Sequence, residues 1–159
     1  MARIRMVRYL IPLFVLFTLP AVLSCTGAVP GELTENEKLW KDQGLSDYDF
    51  TVARSCFCPE DWRGPVNVQV RNGVPVSETY VSDGTEVTEG KFDNADTIEE
   101  LFAMLKDAYS GTGDFNQKAE SITVTYDPKM GYPSDFFIDV SQMIADEEQG
   151  YTVTNLVAR

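Results

Sequence analysis

The chain has 159 residues, with 13 basic and 25 acidic side chains that give a formal net charge of −12 at pH 7. This acidity opposes binding to nucleic acid or to anionic lipid head groups. The chain contains no histidine, which excludes Ser-His-Asp and Cys-His catalysis and also histidine-ligated zinc or copper sites. We therefore expect a protein that is not an enzyme, binds no nucleic acid and needs no cofactor.

The beginning of the chain is typical of a secretory signal peptide. Arg3, Arg5 and Arg8 precede an apolar stretch over residues 9–23, which is shorter than the roughly 20 residues of a membrane-spanning helix. The four residues that follow, Val-Leu-Ser-Cys, are similar to the lipobox of bacterial lipoproteins, where the cysteine thiol receives a diacylglyceryl group. We therefore predict a signal peptide over residues 1–24 and a lipid-bearing Cys25 as the first mature residue.

A lipidated Cys25 fixes the expected location of the protein. Several acyl chains, such as palmitate, hold a protein on a membrane firmly, so we expect a membrane-anchored lipoprotein of the cell envelope. Thr26 in place of aspartate favours the outer membrane if the host has one. The alternative is ordinary signal cleavage after Ala28. Residues 25–32 are rich in glycine and proline and predict a short tether, followed by a single domain over residues 33–159.

The first predicted helix and strand follow directly. Thr34 and Glu37 have the spacing of a capping box, which predicts a helix that begins at Thr34 and ends before Gly44. From Tyr48 onward apolar and polar residues alternate as far as Cys58. This period of two is typical of a strand, which the next residue, a proline, would end.

A hairpin comes next, and its register has two possible forms. Two valine-rich runs, residues 66–70 and 74–76, flank an Asn-Gly pair at positions 72–73. A two-residue turn would place the runs on opposite faces, whereas a three-residue loop with a bulge pairs Val70 with Val74. Because hydrophobic pattern sets register, we favour the bulged loop.

The remaining elements complete the predicted fold. Residues 96–99, Asp-Thr-Ile-Glu, are expected to cap a second helix, whose apolar residues recur every three or four positions until Gly111 and Gly113 end it. Alternating segments near residues 122–126, 136–140 and 151–153 predict three more strands. The order helix, three strands, helix, three strands predicts an α+β domain: an antiparallel sheet of about six short strands covered by one or two helices.

Three motifs carry a family resemblance. They are Cys-Phe-Cys-Pro at residues 56–59, Tyr-Asp-Pro-Lys-Met-Gly-Tyr-Pro at 126–133 and Asp-Glu-Glu-Gln-Gly-Tyr at 146–151. In this order and spacing they resemble a family of bacterial envelope proteins and lipoproteins defined only as a domain of unknown function. The likeness runs from about Leu39 to Leu156. It implies a shared fold and an envelope location, and it brings no activity or catalytic residue with it.

Cys56 and Cys58 are the first candidate site. On an extended strand both thiols point to the same side, and their Cα atoms lie about 6.6 Å apart, near the upper limit for a disulfide. A local disulfide or a pair of buried thiols fits an oxidising envelope, with Cys25 consumed by lipid. A thiol-redox or metal-handling role is the alternative, although two thiolates form an incomplete metal site. Arg54 shares this face, and we expect it to pair with an acid.

A group of carboxylates is the second candidate site. Its members lie in or beside two predicted turns: Asp127, Asp139, Asp146, Glu147 and Glu148. Calcium takes about six or more oxygen ligands, which the two turns would supply if they converged at one end of the sheet. The spacing matches no EF-hand loop, and solvated turn residues explain the same pattern. A calcium-stabilised domain therefore remains an alternative.

These observations favour a non-catalytic binding or interaction module. We expect a lipid anchor in a membrane and an envelope protein or a small ligand as the partner. No catalytic residue is predicted.

Overall fold

The structure, a computed structural model, describes residues 29–159, so the predicted signal peptide and Cys25 lie outside the described residues. Within these residues no helix is long and apolar enough to cross a membrane. The elements in chain order are α1 (Gly31–Asp42), β1 (Tyr48–Cys56), a short 3-10 helix (Glu60–Trp62), β2 (Val66–Arg71), β3 (Val74–Tyr80), α2 (Ile98–Ser110), β4 (Ser121–Tyr126), β5 (Pro133–Asp139) and β6 (Gln149–Ala158).

The strands form one antiparallel sheet in the order β3-β2-β1-β6-β5-β4. Strands β1 to β3 make one meander and β4 to β6 make another, and the pairing of β1 with β6 joins the two. Val52 on β1, for example, lies between Val66 on β2 and Val153 on β6. This architecture confirms the predicted α+β class and the predicted order of elements.

One face of the sheet is apolar and forms the core together with the two helices. The core contains the following buried side chains of the strands: Tyr48, Phe50, Val52, Val66, Val68, Val70, Phe136, Ile138, Tyr151 and Val153. Their alternation along each strand is the period of two that the sequence shows. Burying each large apolar side chain stabilises the fold by about 1.5–3 kcal/mol relative to leaving it exposed.

Helix α2 begins and ends as its sequence predicts. The Thr97 hydroxyl accepts a hydrogen bond from the backbone N–H of Glu100 at 3.2 Å, and Gly111 closes the helix with a φ of 72°. The apolar stripe of α2 faces the sheet, where the Phe102 ring stacks on Tyr126 with centroids 6.4 Å apart. The cap at Thr97 and the packing of the apolar stripe on the sheet therefore favour the same position for this helix.

Helix α1 differs from its prediction at the N-terminus. It begins at Gly31, three residues early, and no side chain caps it. The Thr34 hydroxyl instead donates to the carbonyl of Pro30, and the Glu37 carboxylate accepts from lysines on α1 and α2. The predicted capping box is therefore wrong. Burial of Leu33, which is 1% exposed, favours the longer helix because that side chain then packs in the core.

The β2–β3 hairpin also differs from its predicted register. Arg71 pairs with Val74 across a two-residue turn in which Asn72 and Gly73 have φ values of 52° and 73°. These positive values are those of the type I′ turn that an Asn-Gly pair favours. The bulge lies further along β3, at Val76. Turn chemistry thus outweighs the valine pattern, and the predicted three-residue loop is wrong.

The β4–β5 turn supports α1. Gly131 in this turn has a φ of 82°, and a Cβ atom added there would lie 2.9 Å from Leu39 Cβ and closer still to the Asn36 carbonyl oxygen. The neighbouring Tyr132 ring meets the Trp40 indole edge-on, with centroids 6.2 Å apart. The absence of a side chain at Gly131 therefore permits α1 to pack directly on the turn.

We predict that Gly131→Ala destabilises the fold much more than Gly84→Ala. Both glycines have positive φ, but a Cβ at Gly84 would meet nothing within 4 Å. Gly84→Ala should therefore show only the backbone cost of about 1–2 kcal/mol. Gly131→Ala should add about 1–3 kcal/mol from overpacking against α1. Urea unfolding of both variants measures the difference, and equal losses would contradict the packing of α1 on this turn.

Candidate functional site

The two cysteines lie where β1 ends and the chain bends away from the sheet. A disulfide joins Cys56 and Cys58, whose Cα atoms are 5.3 Å apart, a distance within the usual range for disulfides. The bend explains why this distance is shorter than that of an extended pair. Phe57 between them is 81% exposed. The tripeptide lines a surface groove together with Pro59 and Arg63, so the disulfide is accessible from solvent.

Arg54 lies on the same strand as Cys56 and is held by aromatic rings. Its guanidinium lies 5.1 Å from the ring centroids of both Phe92 and Tyr151, and it donates to the amide oxygen of Asn94 at 2.7 Å. The expected pairing of Arg54 with an acid is therefore wrong. Arg54 instead lies over two aromatic rings and donates to a neutral amide oxygen. A planar guanidinium favours such stacking. Arg54 thus attaches the loop before α2 to the sheet, which is a structural role.

Glu99 connects both helices to the central strand. One of its carboxylate oxygens accepts from the Trp40 indole N–H at 2.7 Å, and the other accepts from the Tyr48 hydroxyl at 2.8 Å. The Tyr48 oxygen in turn accepts from the backbone N–H of Ile98 at 3.1 Å. Burial, followed by the proximity of Glu99, raises the pKa of Tyr48 above its usual value. The hydroxyl therefore stays protonated as a donor, and the cluster is structural.

A second group of carboxyls lies at the N-terminus of α2. Asp96 is 8% exposed, and its Oδ1 atom and the Oε2 atom of Glu100 are buried without a hydrogen-bond partner. Burial raises the pKa of Asp96 to about 8, with further contributions from Glu100, Glu78 and Asp93. Burial likewise raises the pKa of Glu78. Asp96 therefore keeps a proton at neutral pH.

We predict that Asp96 makes the protein less stable as pH rises. Its pKa is about 8 in the folded protein against an ordinary value of 3.8. The protonated carboxyl therefore contributes its full stabilisation at pH values below 3.8, and this stabilisation is lost as the pH rises through about 8. Asp96→Asn should flatten the pH dependence of the free energy of unfolding and exceed the wild type in stability at pH 8. Asp114→Asn, at an exposed position, is the control. An unchanged slope in Asp96→Asn would contradict this role.

The five candidate calcium ligands do not come together. Asp127 lies in the β4–β5 turn, where its carboxylate accepts two backbone N–H groups of that turn. Asp139 lies at the other end of β5, about 20 Å away at 3.3 Å per residue. Residues 146–148 lie in the β5–β6 connection, at the same end as Asp139. In the described part of the chain, no group of three or more Asp, Glu or Cys side chains is arranged to hold a metal ion.

The face of the sheet away from the helices carries mainly hydroxyl and amide side chains. We name it the open face and define it by four rows of residues in register: Ser77, Gln69, Asp49 and Val157; Thr79, Asn67, Thr51 and Thr154; Ala53, Thr152, Asp135 and Thr125; Ser55, Gly150, Phe137 and Thr123. Each row crosses four strands, so side chains that are distant in the sequence lie side by side.

The carboxylates of the open face are engaged within the protein. Asp49 accepts from Arg71 at 2.8 Å and from Arg159 at 2.7 Å, and these two arginines hold its pKa below the usual value although burial opposes them. Asp135 accepts from the Thr152 hydroxyl at 2.8 Å. Asp135 is exposed and its partner is a neutral hydroxyl, so it adds a negative charge to the open face, whereas Asp49 is paired with arginines.

One aromatic ring lies among these polar side chains. Phe137 is 40% exposed and lies beside Gly150 on the neighbouring strand. A Cβ atom at Gly150 would lie 3.2 Å from Phe137 Cδ2 and 3.5 Å from Ser55 Cβ. The missing side chain at Gly150 thus leaves room for the Phe137 ring against the backbone, where part of the ring contacts solvent.

These features define an α+β protein with a six-stranded antiparallel sheet that is covered by helices on one side. The chain matches, over residues 32–158, the model of a family of unknown function, DUF6174, and it belongs to this family. The match confirms the predicted membership in a family known only as a domain of unknown function. No curated protein and no solved structure matches the chain.

Proposed function

We propose that this protein is a non-catalytic binding module of the cell envelope, anchored to a membrane by lipid on Cys25. The basic, apolar and lipobox-like segments at the start of the chain support export and lipidation. The open face supports binding, and it is the observation on which the binding role depends. It combines a wide area with many exposed hydrogen-bonding groups.

The geometry of the open face suits recognition of an extended partner. Six strands spaced about 4.8 Å apart give a surface roughly 24 Å wide. The four inner strands are paired on both sides, so their side chains project from a rigid backbone. Rigid elements hold binding groups more precisely than loops do. The absence of histidine and the family's lack of an assigned activity fit a module that binds without chemistry.

We predict that photocrosslinking in the exporting host captures a partner through the open face. A benzophenone amino acid at Thr154 or Thr123 would project from this face, whereas the same amino acid at Ala103 or Glu35 would project from an exposed position on a helix. The first two positions should give crosslinked products and the two helix positions should not. Crosslinks at the helix positions alone, or at none of the four, would contradict a binding role for the open face.

We predict that the native protein, extracted from membranes without reductant, carries added acyl mass on a chain that begins at Cys25. Its mass should also be lower by two hydrogens because Cys56 and Cys58 are joined. An intact mass spectrum gives both results. An unmodified chain that begins near Val29 would contradict lipidation, and two free thiols would contradict a purely structural disulfide.

A thiol-redox role is the second candidate, favoured by one observation. The Cys56–Cys58 disulfide lines a surface groove beside Arg63, and a nearby guanidinium stabilises a thiolate. A redox pair exchanges readily with glutathione, whereas a structural disulfide resists reduction. The free thiols tested by the mass measurement would make this candidate the stronger one.

A further inference from the structure

We propose that the Cys56–Cys58 disulfide oxidises pairs of thiols in unfolded polypeptides exported to the cell envelope. This inference rests on the thiol-redox candidate above, and it adds the direction of electron transfer and the class of substrate. Three observations carry it: the short loop that the disulfide closes, the groove in which it lies and the exposed aromatic side chains beside it.

The disulfide contributes little to the stability of the fold. A disulfide stabilises a protein chiefly by closing a loop in the unfolded chain, and the effect grows with the length of that loop. Cys56 and Cys58 are two residues apart, so their disulfide closes one of the shortest loops that a chain can form. It also joins no separate elements, because Cys56 ends β1 and Cys58 follows directly. Stability alone therefore does not explain this bond.

Hydrogen bonds hold the same segment without help from the disulfide. The backbone N–H of Arg54 donates to the carbonyl of Arg63 at 2.7 Å, which attaches the returning chain to β1. Between these residues, the N–H of Trp62 donates to the carbonyl of Pro59 at 3.0 Å. Phe57 inside the disulfide loop is 81% exposed, so closing the loop does not bury the side chain within it. Removal of both sulfurs should therefore leave the segment folded.

The surroundings of the disulfide favour attack by a thiolate. Both cysteines are half-buried and line a surface groove with Phe57, Pro59 and Arg63. Among the described residues that line this groove, Arg63 alone carries a charge. A nearby guanidinium stabilises the thiolate that leaves when a disulfide is broken, and exposed disulfides are the ones that exchange readily.

The acidic residues that follow the groove are directed elsewhere. The Asp61 carboxylate is paired with the Lys91 ammonium, and this hydrogen bond holds the pKa of Asp61 below its usual value. Glu60 lines, together with Asp61, a different groove of the surface. The charge within the groove of the disulfide is therefore positive.

Exposed aromatic side chains beside the disulfide indicate a polypeptide as the substrate. Phe57 is 81% exposed and Trp62 is 38% exposed. Exposed apolar surface marks sites that contact other molecules, and aromatic side chains are enriched where proteins meet. An unfolded polypeptide presents apolar side chains next to its cysteines, whereas a small hydrophilic thiol has none. We therefore assign Phe57 and Trp62 to the binding of an apolar segment of the substrate.

The oxidation consists of two thiol–disulfide exchanges. A substrate thiol loses its proton and attacks one sulfur of the disulfide, which forms a mixed disulfide. The other sulfur leaves as a thiolate and takes up a proton. The second substrate thiol then loses its proton and attacks the substrate sulfur of the mixed disulfide. This step closes the substrate disulfide and releases the second cysteine, which is protonated in turn. Two electrons and two protons thus pass to Cys56 and Cys58. A low-molecular-weight disulfide regenerates the bond by the same exchanges and is itself reduced to two thiols.

The test uses the full protein extracted from membranes of the exporting host, with any free thiol at Cys25 first blocked by iodoacetamide. The substrate probe is a synthetic unfolded peptide with two cysteines, each next to apolar residues. The control peptide has serines in place of those apolar residues. Reduced glutathione is the probe for simple exchange. Acid quenching, alkylation and mass spectrometry count the thiols of the protein and of the peptide.

The variants change the sulfurs, the aromatic contact and the charge of the groove separately. Two matched controls change an exposed apolar side chain in the β5–β6 connection and an exposed cation in the β4–β5 turn. The site variants are the double variant Cys56→Ser with Cys58→Ser, and the single variants Phe57→Ala, Arg63→Gln and Arg63→Lys; the controls are Met143→Ala and Lys129→Gln.

The proposal predicts that one peptide disulfide forms for each protein disulfide that is reduced. Phe57→Ala should raise the peptide concentration that gives half of the maximal rate about tenfold, because an apolar contact with the substrate is lost. Arg63→Gln should lower the maximal rate, and Arg63→Lys should restore it, because a positive charge stabilises the leaving thiolate. Both controls should react like the wild type. The double serine variant should keep its circular dichroism spectrum and melt only a few degrees lower.

The outcomes separate this proposal from the candidate on which it rests. Reduction by glutathione without oxidation of the peptide would overturn the polypeptide substrate and keep the thiol-redox role. Resistance to both probes would overturn the two together. Equal rates with the apolar and the serine peptide would overturn the assigned contact with the aromatic side chains, and unfolding of the double serine variant would show that the disulfide is structural. None of these results depends on the open face, which crosslinking through Thr154 tests.

Discussion

The pairing of β1 with β6 is the constraint on which the rest of the structure depends. The chain builds two separate meanders, and this one ladder, from Tyr48 opposite Ala158 to Cys56 opposite Gln149, joins them into one sheet. Each meander alone would leave an unpaired edge and half of a core. Together they bury Tyr48, Val52 and Val153 under the helices. The polar side chains of β1 and β6 are thereby fixed in register on the opposite side. Core and open face are two consequences of the same pairing.

The two faces of the sheet would separate stability from the recognition role that we propose. Apolar side chains, the Glu99 cluster and the stacked Arg54 stabilise the helix-covered face, and none of them is needed by a ligand of the open face. The open face contains threonines, which suit strands because they are β-branched, and a solvent-exposed sheet face ordinarily contains them too. Two carboxylates also lie in its four rows: Asp49, which is paired with arginines, and the exposed Asp135. The lipid that we propose on Cys25 would hold this face at a membrane.

The sequence predicted the elements better than the contacts between them. Helix α2 followed its cap and stripe, and Phe50 and Val52 followed the period of two, because these signals are local. The hairpin register was missed because the Asn-Gly turn outweighs the valine pattern. The start of α1 was predicted three residues too late, because the longer helix is favoured by the burial of Leu33 in the core. That burial is a tertiary contact, which a local sequence pattern does not show. The open face could not be predicted, since strand order decides which threonines are neighbours, and nothing in the sequence near Phe137 indicates the glycine beside its ring.

The most direct test of the open face is an NMR titration of the isotope-labelled mature protein with the partner that crosslinking through Thr154 or Thr123 captures. The methyl and amide signals of the following residues should shift together and saturate at one ligand concentration: Thr51, Thr123, Phe137, Thr152 and Thr154. Signals of α1 and of the Cys56–Cys58 segment should remain unchanged. Shifts centred on that segment or on the helices, with the open face unaffected, would contradict the account.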